Sequence, residues 1–182
     1  MQKDDAERSG EIEELVRRFE MPLLQYATRI IGERERARDV VQETFVQWQR
    51  ARREQIDSAP VKWLFTVCRN RALNVCRKER RMLFLDDELM ATRPGMEPAP
   101  FARLEQQEAS GFLLRIIATL PPRQQEVLQL KFQNDFSYQE IAEITKLSVS
   151  NVAVTIHNAL KTLRAKYGNA AREFVAFAPR RS

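Results

Sequence analysis

Residues 136–164 constrain the fold more tightly than any other stretch of the chain. FSYQEIAEIT is followed by KL and then SVSNVAVTIHNALKTLR. Ile141, Ala142, Ile144, Leu147, Val149, Val152 and Ile156 fall at helical spacing around a two-residue break, so they supply the inner surface of two short packed helices. Ala142 is small where the helices must approach closely. Ser148 is a good N-cap for the second helix, with Asn151 three residues on. Two helices joined so tightly can present the second to a DNA major groove. The surface set of that segment is Ser148, Ser150, Asn151, Ala153, Val154, Thr155, His157, Asn158 and Lys161. Ser, Asn and Thr can hydrogen-bond bases or phosphates, and apolar groups can touch thymine methyls. Yet the first three turns of this helix carry no Lys or Arg.

The remainder of the chain also favours helix. Its 182 residues allow one ordinary domain or two small ones. Five glycines and the lack of alternating β-branched runs argue against sheet, while abundant Ala, Leu, Glu, Gln and Arg argue for helix. No apolar run reaches membrane-spanning length and the polar N-terminus is no signal peptide, so a soluble cytoplasmic protein without membrane insertion is expected. Cys68 and Cys76 lie eight residues apart on one expected helix, a separation of roughly 12 Å, too far for a disulfide. They read as small core hydrophobes. His157 has no acid or nucleophile at useful spacing. No phosphate-cradling Gly loop and no metal-ligand spacing occur, so neither enzyme chemistry nor a cofactor nor a metal is expected.

Periodicity divides the chain into an all-α pair of small helical domains. Residues 11–32 form an amphipathic helix with Ile12, Leu15, Val16, Phe19, Leu23, Leu24, Ala27 and Ile30 inward, and Pro22 is expected to bend or divide it. Residues 33–53 form a second, burying Ala37, Val40, Val41, Thr44, Phe45 and Trp48. Residues 61–81 form a third, burying Leu64, Val67, Cys68, Ala72 and Val75. The first domain is thus 11–82. Residues 83–101 hold Asp86, Asp87, Glu88, Glu97 and three prolines, and read as an acidic, Pro-containing linker. The second domain, 102–168, begins with helices at 103–120 and 124–132, the latter opened by Pro121-Pro122. It ends with the helix-turn-helix. Residues 169–182 are a short tail, after which no fused domain is expected.

Charge follows this division. Residues 61–82 hold seven basic residues and one acid, and residues 111–182 hold ten and five. Between them, residues 83–110 hold two basic residues and six acids. Basic blocks are the electrostatic footprint of nucleic acid, and the acidic spacer between them would not adhere to the same duplex.

The third helix carries an outer stripe of Thr66, Arg69, Asn70, Asn74, Arg77, Arg80 and Arg81. Arginine holds phosphates with a planar fork of donors, and Asn can hydrogen-bond a base edge. Together they fit a nucleic-acid reader better than a merely solvated face. Trp63 can stack on a base or pack inward beside Val67; packing is favoured. The second helix presents Asp39, Gln42, Glu43 and Val46. That face suits a basic protein partner, though taken alone it is better read as an ordinary solvated face.

These blocks resemble the extracytoplasmic-function (ECF) group of bacterial sigma factors over nearly the whole chain. DVVQETFVQWQRAR (residues 39–52) is similar to the family's region 2.2, and WLFTVCRNRALNVCRKERR (63–81) to regions 2.3 and 2.4. LPPRQQEVLQLKFQNDFSYQEIAEITKLSVSNVAVTIHNALKTLR (120–164) is similar to region 4. The resemblance implies that Asp39, Gln42, Glu43 and Val46 bind core RNA polymerase. It implies that Arg69, Asn70, Asn74, Arg77, Arg80 and Arg81 serve melting of the promoter −10 element and capture of a flipped base. Ser148 to Lys161 would enter the −35 major groove, and an anti-sigma factor is an expected partner. The family often has Gly where this chain has Lys146, and basic residues at the places of Ala153, Thr155 and Asn158. The competing reading is a free-standing helix-turn-helix regulator that needs no polymerase. A third is a decoy whose last domain binds only protein.

Overall fold

The computed structural model describes the backbone of residues 2–51, 56, 59–86 and 117–168, and the side chains of 10–51, 56, 59–79, 81 and 117–168. Every regular element among these residues is a helix. The chain divides into two compact units, Met1–Glu97 and Pro98–Ser182.

In the first unit, α1 (Gln2–Ile31), α2 (Arg34–Arg50) and α3 (Pro60–Asp86) pack on one another. Gly32, at φ 86°, ends α1 by donating to Thr28 O at 2.7 Å, a left-handed turn that glycine makes without Cβ strain. Only Gly32 and Glu33 separate α1 from α2, so the two helices run back on each other. Between α2 and α3 the side-chain pairs are Arg36 with Glu79, Glu43 with Arg71, and Trp48 with Trp63. One number rises as the other falls, which is the register of an antiparallel pair. The core is Leu23, Leu24, Tyr26 and Ala27 from α1, all six inward residues expected of α2, and Leu64, Phe65, Cys68 and Ala72 from α3. Tyr26 meets Phe65 with ring centroids 5.3 Å apart.

Three expectations need correction here. α1 continues as one helix through Pro22 and is not divided there. An interior proline costs about 3 kcal/mol, but Leu23, Leu24, Tyr26 and Ala27 immediately after it are all buried and hold the helix in place. α1 also begins at Gln2 rather than near residue 11, because the first turns are acidic and polar and leave no apolar period to detect. α3 runs to Asp86, beyond the expected end at residue 81.

In the second unit, α4 (Pro122–Phe132), α5 (Tyr138–Thr145) and α6 (Val149–Tyr167) pack together. Pro121 caps α4 through its carbonyl, which accepts from Gln124 N and Gln125 N. Buried Gln125 donates to Ala118 O at 3.1 Å and Leu120 O at 2.7 Å, satisfying carbonyls of the preceding turn. Ile117, Leu120, Val127, Leu128, Leu130, Phe136, Ile141, Ile144, Val152, Ile156, Ala159 and Leu163 fill the core. The expected linker beyond residue 86, the expected helix up to residue 116, and the tail lie outside the described residues.

Candidate nucleic-acid interface

α3 brings most of its expected readers onto one surface. Asn70, Asn74, Arg77 and Arg81 are exposed and recur at intervals of three and four, so they form a stripe along the helix. Arg69, at its edge, is half-buried, and the side chain of Arg80 lies outside the described residues. Arg77 Nη1 donates to Asn74 Oδ1 at 3.2 Å, which leaves the Asn74 amide donors directed elsewhere. Thr66 is spent locally: its hydroxyl donates to Lys62 O at 2.8 Å. Glu79, the one acid in residues 61–82, is half-exposed and paired to Arg36, which also holds Glu33 at 2.8 Å. The field over the stripe is therefore dominated by arginine. Trp63 is half-buried and packs edge-on against Trp48, with centroids 5.6 Å apart at 74°, in keeping with the packed reading over the stacking one.

A cavity of about 470 Å³ opens near this tryptophan pair, between α1 and the start of α3, lined by Leu15, Phe19, Trp48, Ile56, Pro60 and Val61 with Glu11, Glu14 and Arg18. None of the expected site residues lines it.

On α2, Asp39, Gln42 and Glu43 are exposed and Val46 is half-buried, at positions i, i+3, i+4 and i+7 of one face. Glu43 is not free. Arg71 Nη2 reaches its Oε1 at 3.1 Å from α3, and the Arg71 Nε is buried without a hydrogen-bond partner. Arg71 lies off the stripe expected to meet DNA, so helical spacing alone does not single it out. Its signal was the antiparallel register, which the Trp48–Trp63 pairing would have supplied.

Beneath these faces lies Cys68. Burial pushes its thiol from an ordinary 9.0 up to about 12, against the opposing effect of a hydrogen bond with Thr44. Neither Cys68 nor Cys76 is in a disulfide, and Cys76 donates to Ile30 O at 3.4 Å.

The helix-turn-helix is built by local chemistry. Ser137 caps α5 and exchanges bonds with Glu140: Glu140 N donates to Ser137 Oγ at 3.2 Å, and Ser137 N donates to Glu140 Oε2 at 2.8 Å. Lys146 ends α5 in the left-handed region, at φ 60° and ψ 32°. The backbone N–H of Lys146 and that of Leu147 both donate to Ala142 O, turning the chain sharply. Ser148 then caps α6 by accepting from Asn151 N at 3.2 Å, and its hydroxyl also meets Ser150 Oγ at 3.1 Å. Of the expected surface set, Ser148, Ser150, Asn151, Val154, His157, Asn158 and Lys161 are exposed, while Ala153 and Thr155 are half-buried. Ile141, Ala142, Ile144, Val152 and Ile156 are buried as expected and Leu147 is half-buried. Val149 is a correction. It is exposed, because it is the first residue of α6 and precedes the turn at which the inner stripe begins. α6 contains no acid, and its Lys161, Arg164 and Lys166 all lie in its second half. Unpaired N–H groups at its start add partial positive charge there.

No helix among the described residues is long and apolar enough to cross a membrane.

Comparison with known proteins matches both units. Residues 15–82 match Sigma-70 region 2, and residues 113–163 match Sigma-70, region 4. The ECF RNA polymerase sigma factor EcfG of Rhodopseudomonas palustris is 31% identical over 154 residues, 84% of this chain and 83% of the relative. RNA polymerase sigma factor YlaC of Bacillus subtilis is 28% identical over 158 residues, 84% of this chain and 90% of the relative. The ECF sigma factor RpoE of Cereibacter sphaeroides is 32% identical over 118 residues, and the alignment spans 64% of each chain. Among solved structures, the sigma factor RpoE of Bartonella quintana, in complex with the anti-sigma factor NepR, has a similar fold. Its TM-score is 0.55 at 20% identity, covering 92% of this chain and 99% of that one.

Proposed function

The chain belongs to the extracytoplasmic-function group of sigma-70 RNA polymerase sigma factors, and on that premise we propose that it binds core RNA polymerase and directs it to promoters in the cytoplasm. One observation carries this reading. An Asn- and Arg-bearing helical stripe in one unit is joined, in a single chain, to a helix-turn-helix in another. A free-standing regulator has a use for the second but none for the first.

The division of labour follows from the chemistry. Arg69, Arg77, Arg80 and Arg81 hold phosphates of the −10 element. Asn70 and Asn74 supply donors and acceptors to an extruded base, whose unstacking costs a few kcal/mol and is offset by these bonds. α6 enters the −35 major groove with Ser148, Ser150, Asn151, Ala153, Val154, Thr155, His157, Asn158 and Lys161. Asp39, Gln42, Glu43 and Val46 meet a basic surface of the polymerase. The polymerase makes the bonds; this subunit supplies position and melting. The Bartonella RpoE structure contains an anti-sigma factor, and a partner of that class, covering these same surfaces, is part of the proposal.

The decisive test is run-off transcription on fragmented genomic DNA, with purified protein added to bacterial core polymerase and the transcripts sequenced. Discrete 5′ ends sharing an upstream two-block motif are expected. Tight duplex binding by the protein alone, with no promoter-specific transcript, would overturn the proposal in favour of the free-standing regulator.

A further inference from the structure

Among the described residues, large hydrophobic side chains that stand in solvent are few. They are Met21, Tyr138, Val149 and Val154, at 47%, 38%, 48% and 57% exposure. Three of the four fall in the helix-turn-helix, and the most exposed, Val154, lies in α6 itself. Single exposed hydrophobes are ordinary; their concentration on one short motif is not. Val154 is also central to a surface stripe. Ser150, Val154, His157, Asn158 and Lys161 recur at helical spacing, and all are exposed. Val154 therefore stands among the hydrogen-bonding groups of α6, not apart from them.

The neighbourhood tells what such a valine would meet. No residue of α6 is acidic, and its basic residues lie toward the C-terminal end. That charge admits a polyanion and disfavours a basic protein. No Arg or Lys precedes Lys161 on this helix, so the double hydrogen bond of Arg to guanine O6 and N7 is not available to its first turns. An isopropyl group in a major groove has one good base partner, the C5 methyl of thymine.

Resting on the assignment of α6 to the −35 duplex, we propose that Val154 is a specificity-determining residue that reads a thymine methyl there. The element recognised by this chain then contains thymine opposite Val154, and selection at that base pair depends on a methyl group instead of a guanine-directed arginine.

The test uses the full chain with core polymerase on a promoter taken from the run-off experiment. Three duplexes differ only in the −35 segment: native, with deoxyuridine in place of thymidine on both strands, and scrambled. Uracil keeps every hydrogen-bonding group and loses only the methyl. One buried methyl corresponds to about a fourfold change in affinity, so the wild-type holoenzyme is expected to bind the uracil duplex about fourfold more weakly. Val154→Ala should bring that ratio close to one, and Met21→Ala, an exposed change in the other unit, should leave it at the wild-type value. Equal binding of native and uracil duplexes, or an undiminished ratio in Val154→Ala, would overturn the methyl contact while leaving α6 as the −35 reader. Equal binding of native and scrambled duplexes would overturn that assignment, and the inference with it.

Discussion

Lys146 offers the sharpest test of the backbone of the helix-turn-helix. Its φ of 60° and ψ of 32° place it in the left-handed region, where a Cβ crowds the following carbonyl and costs roughly 1–2 kcal/mol. Lys146→Gly removes that crowding. The gain is partly offset, because Gly is freer in the unfolded chain by about 0.4–1 kcal/mol. The side chain is exposed and caps nothing in the core, so little else is lost. The net expectation is stabilisation of about 0.5–1 kcal/mol, or about 2–8 °C for a unit of this size. Both tryptophans, Trp48 and Trp63, are in the first unit, so tryptophan fluorescence reports on that unit. Thermal melts of Lys146→Gly followed by far-UV circular dichroism should show the later loss of helix. The fluorescence transition serves as an internal reference and should move less. A dichroism midpoint at or below that of the wild type would refute the strain assigned to this turn.

Three further outcomes are expected. Asn70→Ala with Asn74→Ala should lower open-complex formation about 10- to 100-fold, the scale of one good base contact. Permanganate footprinting reads this, and core polymerase binding should be unchanged; equal loss of both would make the helix merely structural. Asp39→Arg should weaken association with core polymerase at least several-fold, more so at low salt; unchanged co-purification would count against the α2 face. Cys68, held near 12 against an ordinary 9.0, keeps its proton after the unfolded chain has lost its own. Its contribution is therefore full well below pH 9 and declines as pH rises toward 12, by on the order of 1 kcal/mol over the first unit. Urea midpoints of wild type between pH 8 and 10 should fall more steeply than those of Cys68→Ala, and parallel slopes would show that the thiol is not buried as described.

Much of the fold was legible in the chain, and the reasons it was are visible residue by residue. α2 shows one apolar stripe facing one core, and all six of its inward residues are buried. α3 was read less completely. It packs on both α1 and α2, so its buried arc is wider than one stripe, and Phe65, adjacent to Leu64, is as deeply buried. Tyr26 lies outside the single apolar stripe of α1 for the same reason, since α1 packs on both α2 and α3. Val149 was assigned inward because it is apolar; at the first position of a helix, periodicity has no earlier turn to lean on. The stripes on α2, α3 and α6 needed only spacing to be seen. The Glu43–Arg71 pair needed the register of two helices, which no single-helix pattern contains.

That register also bears on the proposed function, in which the first unit serves two partners at once. α2 and α3 are tied by Arg36–Glu79 near one end, by Glu43–Arg71 in the middle and by the tryptophan pair near the other. From Trp63 to Glu79 this is roughly 24 Å of helix, at 1.5 Å per residue. The ion pairs are partly exposed and individually modest, about 0.2–1 kcal/mol each. Their effect is to add register to a contact whose core, Phe45, Trp48, Leu64 and Cys68, is already closely buried. The carboxylates proposed to face the polymerase and the amides proposed to face DNA therefore sit on adjacent helices packed against each other in fixed register. A polymerase group that competed with Arg71 for Glu43 would release a guanidinium beside the DNA stripe. Docking and melting would then be coupled through one side chain, and Arg71→Met should change promoter opening even though Arg71 itself lies off the stripe.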